Sequence, residues 1–211
     1  MSAEERIARK RRRQDAKRDV ILEAAADVLI EGGLEGFTVG AVAARADLSK
    51  PAVYYYFASR EALLSSLLVV RFRAETNAML AAIAGADGGV AALDRLVRAY
   101  VEHYRNDLES YRVLQLWALS ATSQTELLAT DLYPLSWELM GAIEAMLVED
   151  REHGRLHADA KPRELANVAM MTAHGIVAMS MGMELLGGSM RFSVDAYVDE
   201  ACATFRRACA P

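Results

Sequence analysis

Lys50, Tyr54 and Tyr55, within Ser49-Lys50-Pro51-Ala52-Val53-Tyr54-Tyr55-Tyr56-Phe57, are the side chains of this sequence best suited to recognition chemistry. A lysine reaches O6 and N7 of guanine, and tyrosines donate hydroxyls to phosphates or pack against thymine methyls. Consecutive tyrosines on a helix point about 100° apart, so the three cannot share one role. Tyr56 is assigned with Phe57 to a small core. Other candidates are weaker. His153 and His157 lie four apart, but Gly154 separates them in what reads as a helix end, and no carboxylate or cysteine completes a ligand set. No metal or cofactor is expected. A phosphate-cradling glycine loop after a strand, a nucleophile elbow and an HExxH pair are all missing, so the chain does not read as an enzyme.

The elements that must hold Lys50 and its neighbours can be derived from caps and spacing. Thr38 suits an N-cap ahead of an apolar-periodic run, and Val42 and Ala46 share its inward face. Asp47 falls where the chain must turn sharply, a place Asp tolerates better than most residues. Ser49 is a second N-cap, and Pro51 sits in the first turn of the helix it opens. Val53 and Phe57 then point inward, leaving Lys50, Ala52, Tyr54 and Tyr55 turned outward. Two short helices joined by such a turn can place the second in the major groove of DNA. Ahead of them, a helix from about Asp15 to Glu31 turns Ile21, Ala25, Val28 and Leu29 inward and ends at Gly32-Gly33.

Residues 38 to 64 resemble the TetR family of transcriptional regulators. The resemblance rests on Gly33, Phe37, Thr38, Val42, Ala43, Leu48, Ser49, Val53, Tyr54, Tyr56, Phe57, Arg60, Glu61, Leu63 and Leu64, and is specific over about residues 18 to 68. It implies DNA contacts from Thr38, Ser49, Lys50, Pro51, Ala52, Tyr54, Tyr55 and, to phosphate, Arg60. Two positions depart from the family pattern. Asp47 stands where Gly is usual, and Gly40 where many members carry a polar or basic DNA contact.

The remainder reads as helix nearly throughout, with four prolines and no period-two alternation. The expected architecture is all-α: a flexible basic arm over residues 1–15, a three-helix domain with the helix-turn-helix over 16–58, and a larger helical bundle over 59–211. That bundle is expected to bind ligand and to dimerise. A long helix from Ser59 to about Ala84 joins the domains, followed by helices near 90–108, 111–122, 125–153, 162–186 and 193–208. Net charge is −5, yet residues 1–18 hold eight Lys/Arg against three Asp/Glu. The positive charge is thus gathered at one end, as a DNA reader requires. The arm is either a solvated tail or a segment that tracks phosphates or enters the minor groove.

Eight of the ten methionines lie at or after residue 140. Adaptable Met side chains suit a permissive apolar pocket, for which Tyr104, Tyr111, Trp117, Trp137, Met140, Met171 and His174 are the candidates. His174 is either a pocket contact or a satisfied interface histidine. Residues 165–183 are uncharged, but Asn167, Thr172, His174 and Ser180 interrupt them and no basic or aromatic flank follows, so a buried helix is expected rather than a membrane span. The resemblance adds that the last two long helices pair with their twins in a four-helix dimer interface. Ala166, Ala169, Ala173, Val177, Val194, Tyr197, Val198, Ala201 and Phe205 supply its apolar stripes. Cys202 and Cys209 are about 10 Å apart along one helix, too far for a disulfide, and without a signal peptide the chain reads as cytoplasmic. The expectation is a homodimeric repressor of a near-palindromic double-stranded operator, released by a small apolar or amphipathic effector. The alternatives are an activator, or a helical small-molecule-binding protein without a DNA role.

Overall fold

The computed structural model describes residues 2–120, 128–185 and 193–211, with side chains at all of these except 3, 4, 117–120, 128, 129, 184 and 185. Among the described residues the chain is helical, without strands. Helices α1 (Ala3–Gly36), α2 (Val39–Arg45), α3 (Lys50–Tyr56), α4 (Arg60–Ile83), α5 (Gly89–Asn106) and α6 (Leu108–Ser120) come first. A π-helical turn at Leu128–Leu132 leads into α7 (Tyr133–Glu152), followed by α8 (Pro162–Leu185) and α9 (Val194–Cys209).

The chain divides into two compact units, residues 1–72 with 109–127, and residues 73–108 with 128–211. This partition differs from the expected boundary at residue 59. Helix α4 is continuous across position 72, and its first turns contribute Leu63, Leu64, Leu67 and Leu68, all buried, to the first unit.

Within the first unit α1 buries Ile21, Leu22, Ala24, Ala25, Val28 and Leu29, a stripe at helical spacing. It breaks where the sequence places two glycines, with Gly33 at φ 59°, a conformation that favours glycine. Its start corrects the expectation of an unstructured arm over residues 1–15, because the helix reaches back to Ala3. Ser2 and Glu5 form a reciprocal capping box, and Ala, Arg, Lys and Gln have high helix propensity without needing an apolar face.

In the second unit α5 packs against α7, α8 and α9. It turns Leu93, Leu96, Val97, Tyr100, Val101 and Tyr104 inward. Each aliphatic side chain so buried contributes about 1.5–3 kcal/mol. Glycine permits one close approach here: a Cβ on Gly89 would stand 2.5 Å from the backbone nitrogen of Leu147 on α7.

Candidate nucleic-acid interface

Helices α2 and α3 form the predicted helix-turn-helix. The Thr38 hydroxyl accepts the Ala41 N–H at 3.1 Å, and the Ser49 hydroxyl accepts that of Ala52 at 3.3 Å. Asp47 turns the chain at φ 54°, the left-handed conformation its residue type was expected to supply, and the Leu48 N–H closes the turn on the Ala43 carbonyl at 2.9 Å. Val42, Ala43, Val53 and Phe57 are buried together with Phe37. Ser59 caps α4 by accepting the Ala62 N–H at 3.1 Å.

Four arginines tie the helices of this unit to one another. Arg45 on α2 bonds Asp27 at 2.8 Å and also Glu31, both on α1. Arg18 donates to Ser66 at 2.9 Å while its guanidinium lies 4.6 Å from the centre of the Phe57 ring. Arg71 pairs with Glu23 at 2.7 Å. Arg60 donates to the carbonyls of Phe37 at 2.6 Å and Leu34 at 2.7 Å, so in this structure it fastens the start of α4 to the end of α1. The resemblance implied a phosphate contact for it; its guanidinium here serves backbone oxygens.

The recognition candidates other than Arg60 reach the surface of this unit. Thr38, Ser49, Lys50, Pro51, Tyr54 and Tyr55 are exposed and Ala52 is partly so. Tyr55 is 69% exposed, and its hydroxyl accepts from Gln14 Nε2 at 3.0 Å, so α1 fixes its direction. Beside it Arg6, Arg9, Lys10, Arg13, Gln14, Lys17 and Tyr56 line an open groove of about 370 Å³. The basic residues recur at three- and four-residue intervals on one face of α1. This clustering was invisible while residues 1–15 were taken as unstructured.

The expected pocket residues are divided between the units, Tyr111 and Trp117 belonging to the first and the others to the second. Trp137 (66% exposed) and Met171 (70% exposed) face outward, Trp137 stacking on Tyr133. Tyr111 is buried on α6, Met140 is partly buried, and the Trp117 side chain lies outside the described residues. Tyr104 and His174 do join a buried polar cluster. The Tyr104 hydroxyl donates to Glu75, and the Tyr100 hydroxyl lies 3.0 Å from His174 Nδ1. Burial pushes the Glu75 carboxyl up to about 7. Sequence reasoning missed Glu75 and Tyr100; with Arg71 and Arg73 close before it, Glu75 reads as part of a solvated face.

The expected dimer contacts also need correction. Ala166, Ala169, Ala173, Val177, Val198 and Phe205 are buried within the chain itself, Ala169 and Ala173 completely. Those stripes are used by the chain's own core. Val194 and Ala201 are partly buried, and Tyr197 is 52% exposed. His153 caps the end of α7 by its backbone and His157 lies in the following turn, where its Nδ1 accepts the Asp159 N–H at 3.2 Å.

Residues 21–67 match the family described as bacterial regulatory proteins, tetR family. The chain carries the tetR-family DNA-binding domain. The matched segment holds all of α2 and α3 together with Arg45 and Arg60, while Arg18 and Arg71 lie just outside it. No curated protein matches the chain. Among solved structures it is similar to a protein of unknown function from Rhodococcus sp. RHA1, at 26% identity and a TM-score of 0.73, covering 92% of this chain and 96% of that one. A TetR family transcription regulator from Marinobacter aquaeolei VT8 aligns at 21% identity and TM-score 0.73 over 95% and 98% of the two chains. The transcriptional regulator FadR from Bacillus subtilis, solved in complex with stearoyl-CoA, aligns at 17% identity and TM-score 0.72 over 90% and 97%. The tetR-type fold therefore extends over nearly the whole chain, with an all-α second unit after the DNA-binding domain.

Proposed function

We propose that this tetR-type regulator is a dimeric repressor in the cytoplasm, that it reads a near-palindromic operator through α3, and that a small apolar or amphipathic effector releases it. The observation that carries the reading is the exposed Lys50–Tyr54–Tyr55 surface on a doubly capped helix-turn-helix, flanked by the basic face of α1. Lys50 is the base-edge reader, Tyr54 and Tyr55 contact phosphates or thymine methyls, and Arg6, Arg9, Lys10, Arg13 and Lys17 neutralise flanking phosphates. A two-fold dimer sets its recognition helices about one DNA turn, ~34 Å, apart.

Helix α4 belongs to both units, so it is the covalent route by which ligand binding in the second biases the first. A coupling of only about 1–3 kcal/mol changes operator affinity about 5- to 150-fold. The effector class is supported by the methionine-rich second unit.

The test is a gel-shift titration on an operator selected from random DNA. Lys50→Ala with Tyr54→Ala should abolish specific binding while circular dichroism and Tm stay near those of the parent, because both side chains are exposed. Parental operator affinity in the double variant would refute the site.

A further inference from the structure

Gln14 lines the basic groove of α1 together with Arg6, Arg9, Lys10, Arg13 and Lys17 and, unlike them, carries no charge. Its amide nitrogen donates to the Tyr55 hydroxyl at 3.0 Å, from α1 to α3 and across 41 positions of sequence. Both residues belong to the first unit. Gln14 is half-buried while Tyr55 is 69% exposed, so the bond holds a surface phenol in place beside the groove. The Tyr56 ring meets that of Tyr55 edge-on with centroids 5.0 Å apart, which restrains the ring as well.

The direction of this bond decides what Tyr55 can do. A phenol has one proton and can both donate and accept. The amide supplies the proton of the Gln14 bond, so the proton of Tyr55 remains available for an acceptor outside the protein. A phosphodiester oxygen only accepts and carries charge, which makes it the better partner for that proton. A thymine methyl offers no acceptor, and a ring that only packed on it would need no amide to orient its hydroxyl. We propose that Gln14 is a positioning residue for DNA binding, which fixes the Tyr55 hydroxyl as a donor to a backbone phosphate.

This role rests on the DNA reading proposed above and assigns Tyr55 to phosphate rather than to a thymine methyl. Phosphates are present in every duplex, so the contact adds affinity without discriminating between sequences. A neutral donor does not neutralise a phosphate, so it also leaves unchanged the salt dependence set by the arginines and lysines. A glutamine that merely kept the basic face of α1 in place would alter that dependence when replaced.

Fluorescence anisotropy of the full chain, on a selected operator and on a random duplex of equal length, tests this over a series of salt concentrations. Tyr55→Phe should weaken binding to both duplexes by the same factor, about tenfold, as a hydrogen bond to a charged group is lost. Gln14→Leu should weaken both several-fold with the log–log salt slope of the parent, and should cost nothing further in a Tyr55→Phe background. Gln14→Glu tests the direction of the bond, because its carboxylate takes the Tyr55 proton away from the phosphate. It should therefore cost more with Tyr55 present than in the Tyr55→Phe background, where only its charge acts. Parental affinity or a reduced salt slope in Gln14→Leu overturns the role of Gln14, as does an equal cost of either Gln14 variant in both backgrounds. A Tyr55→Phe loss that is absent, or confined to the operator, overturns the phosphate assignment. Should Gln14→Leu fail to fold, Gln14→Glu decides. All of these outcomes leave the DNA reading standing, whereas a parent that binds neither duplex overturns that reading and the role of Gln14 together.

Discussion

A methyl group placed on Gly40 would stand 2.7 Å from Cε of Lys50 and 3.1 Å from its Nζ, so the lysine lies over a position where α2 has no side chain. From sequence, Gly40 reads as a missing DNA contact on the first helix of the motif. In the structure it is the seat of Lys50, proposed above as the base-edge reader, on the second. That pairing was illegible because the two residues are ten apart and meet only once the turn at Asp47 has folded. Gly40→Ala should leave stability unchanged or raise it by up to about 1 kcal/mol, since Ala favours a helix more than Gly. The flexible lysine can swing aside, but its approach to the base edge changes, so operator affinity should fall several-fold relative to random DNA. Fluorescence anisotropy with both DNAs, alongside thermal melts, checks both halves. Parental discrimination between the two DNAs would show that Lys50 does not read from this seat.

The start of α5 shows how an element can depend on a residue far away in sequence. Gly88 at its N-cap offers no side-chain cap, and the Asp150 carboxylate, 3% exposed, takes that place from α7. It accepts the Gly89 N–H at 2.6 Å and that of Val90 at 3.3 Å, and pairs with Arg155 at 2.8 Å. Gly88 must be glycine, because its φ is 88° and a Cβ there would lie 2.6 Å from Asp150 Oδ1. Asp150→Ala should cost about 2–4 kcal/mol, as buried donors lose a charged acceptor, and Asp150→Asn about half of that. Urea unfolding checks the order; equal stability of all three proteins would remove Asp150 as the cap. The local caps at Thr38, Ser49 and Ser59 were legible because donor and acceptor lie three residues apart. Asp150 was not, being about sixty residues from its partners, and the glycines it needs read only as a helix breaker. The opposite error occurred in α1, where the absence of an apolar stripe was taken for absence of helix.

For the assembled protein the decisive surface is α8. By length and composition it could cross a membrane, yet only 28% of its most apolar window is buried within the chain. The face buried against the core holds Ala166, Ala169, Ala173 and Val177. The other face exposes Val168, Met171 and Met179, with Gly175 and Gly182 opening onto empty space. Positions 168, 175 and 182 are seven apart and Met171 falls between them, the spacing by which two helices pack along a seam, and the glycines allow close approach. The resemblance assigned the Ala166, Ala169, Ala173 and Val177 stripe to the partner, but the chain's own core takes it and leaves the opposite face open. Met171→Glu should therefore leave the fold intact, since Met171 is 70% exposed, and shift the protein from a dimer to a 23.1 kDa monomer in sedimentation equilibrium. Ala169→Glu, on the buried face, should instead unfold it, because a charge placed there has no partner. A monomer holds a single reader, so Met171→Glu should bind operator half-sites and full operators with similar per-site affinity. A variant that stays dimeric would move the interface away from this face of α8, and the exposed Tyr197 of α9 would then be the position to alter next.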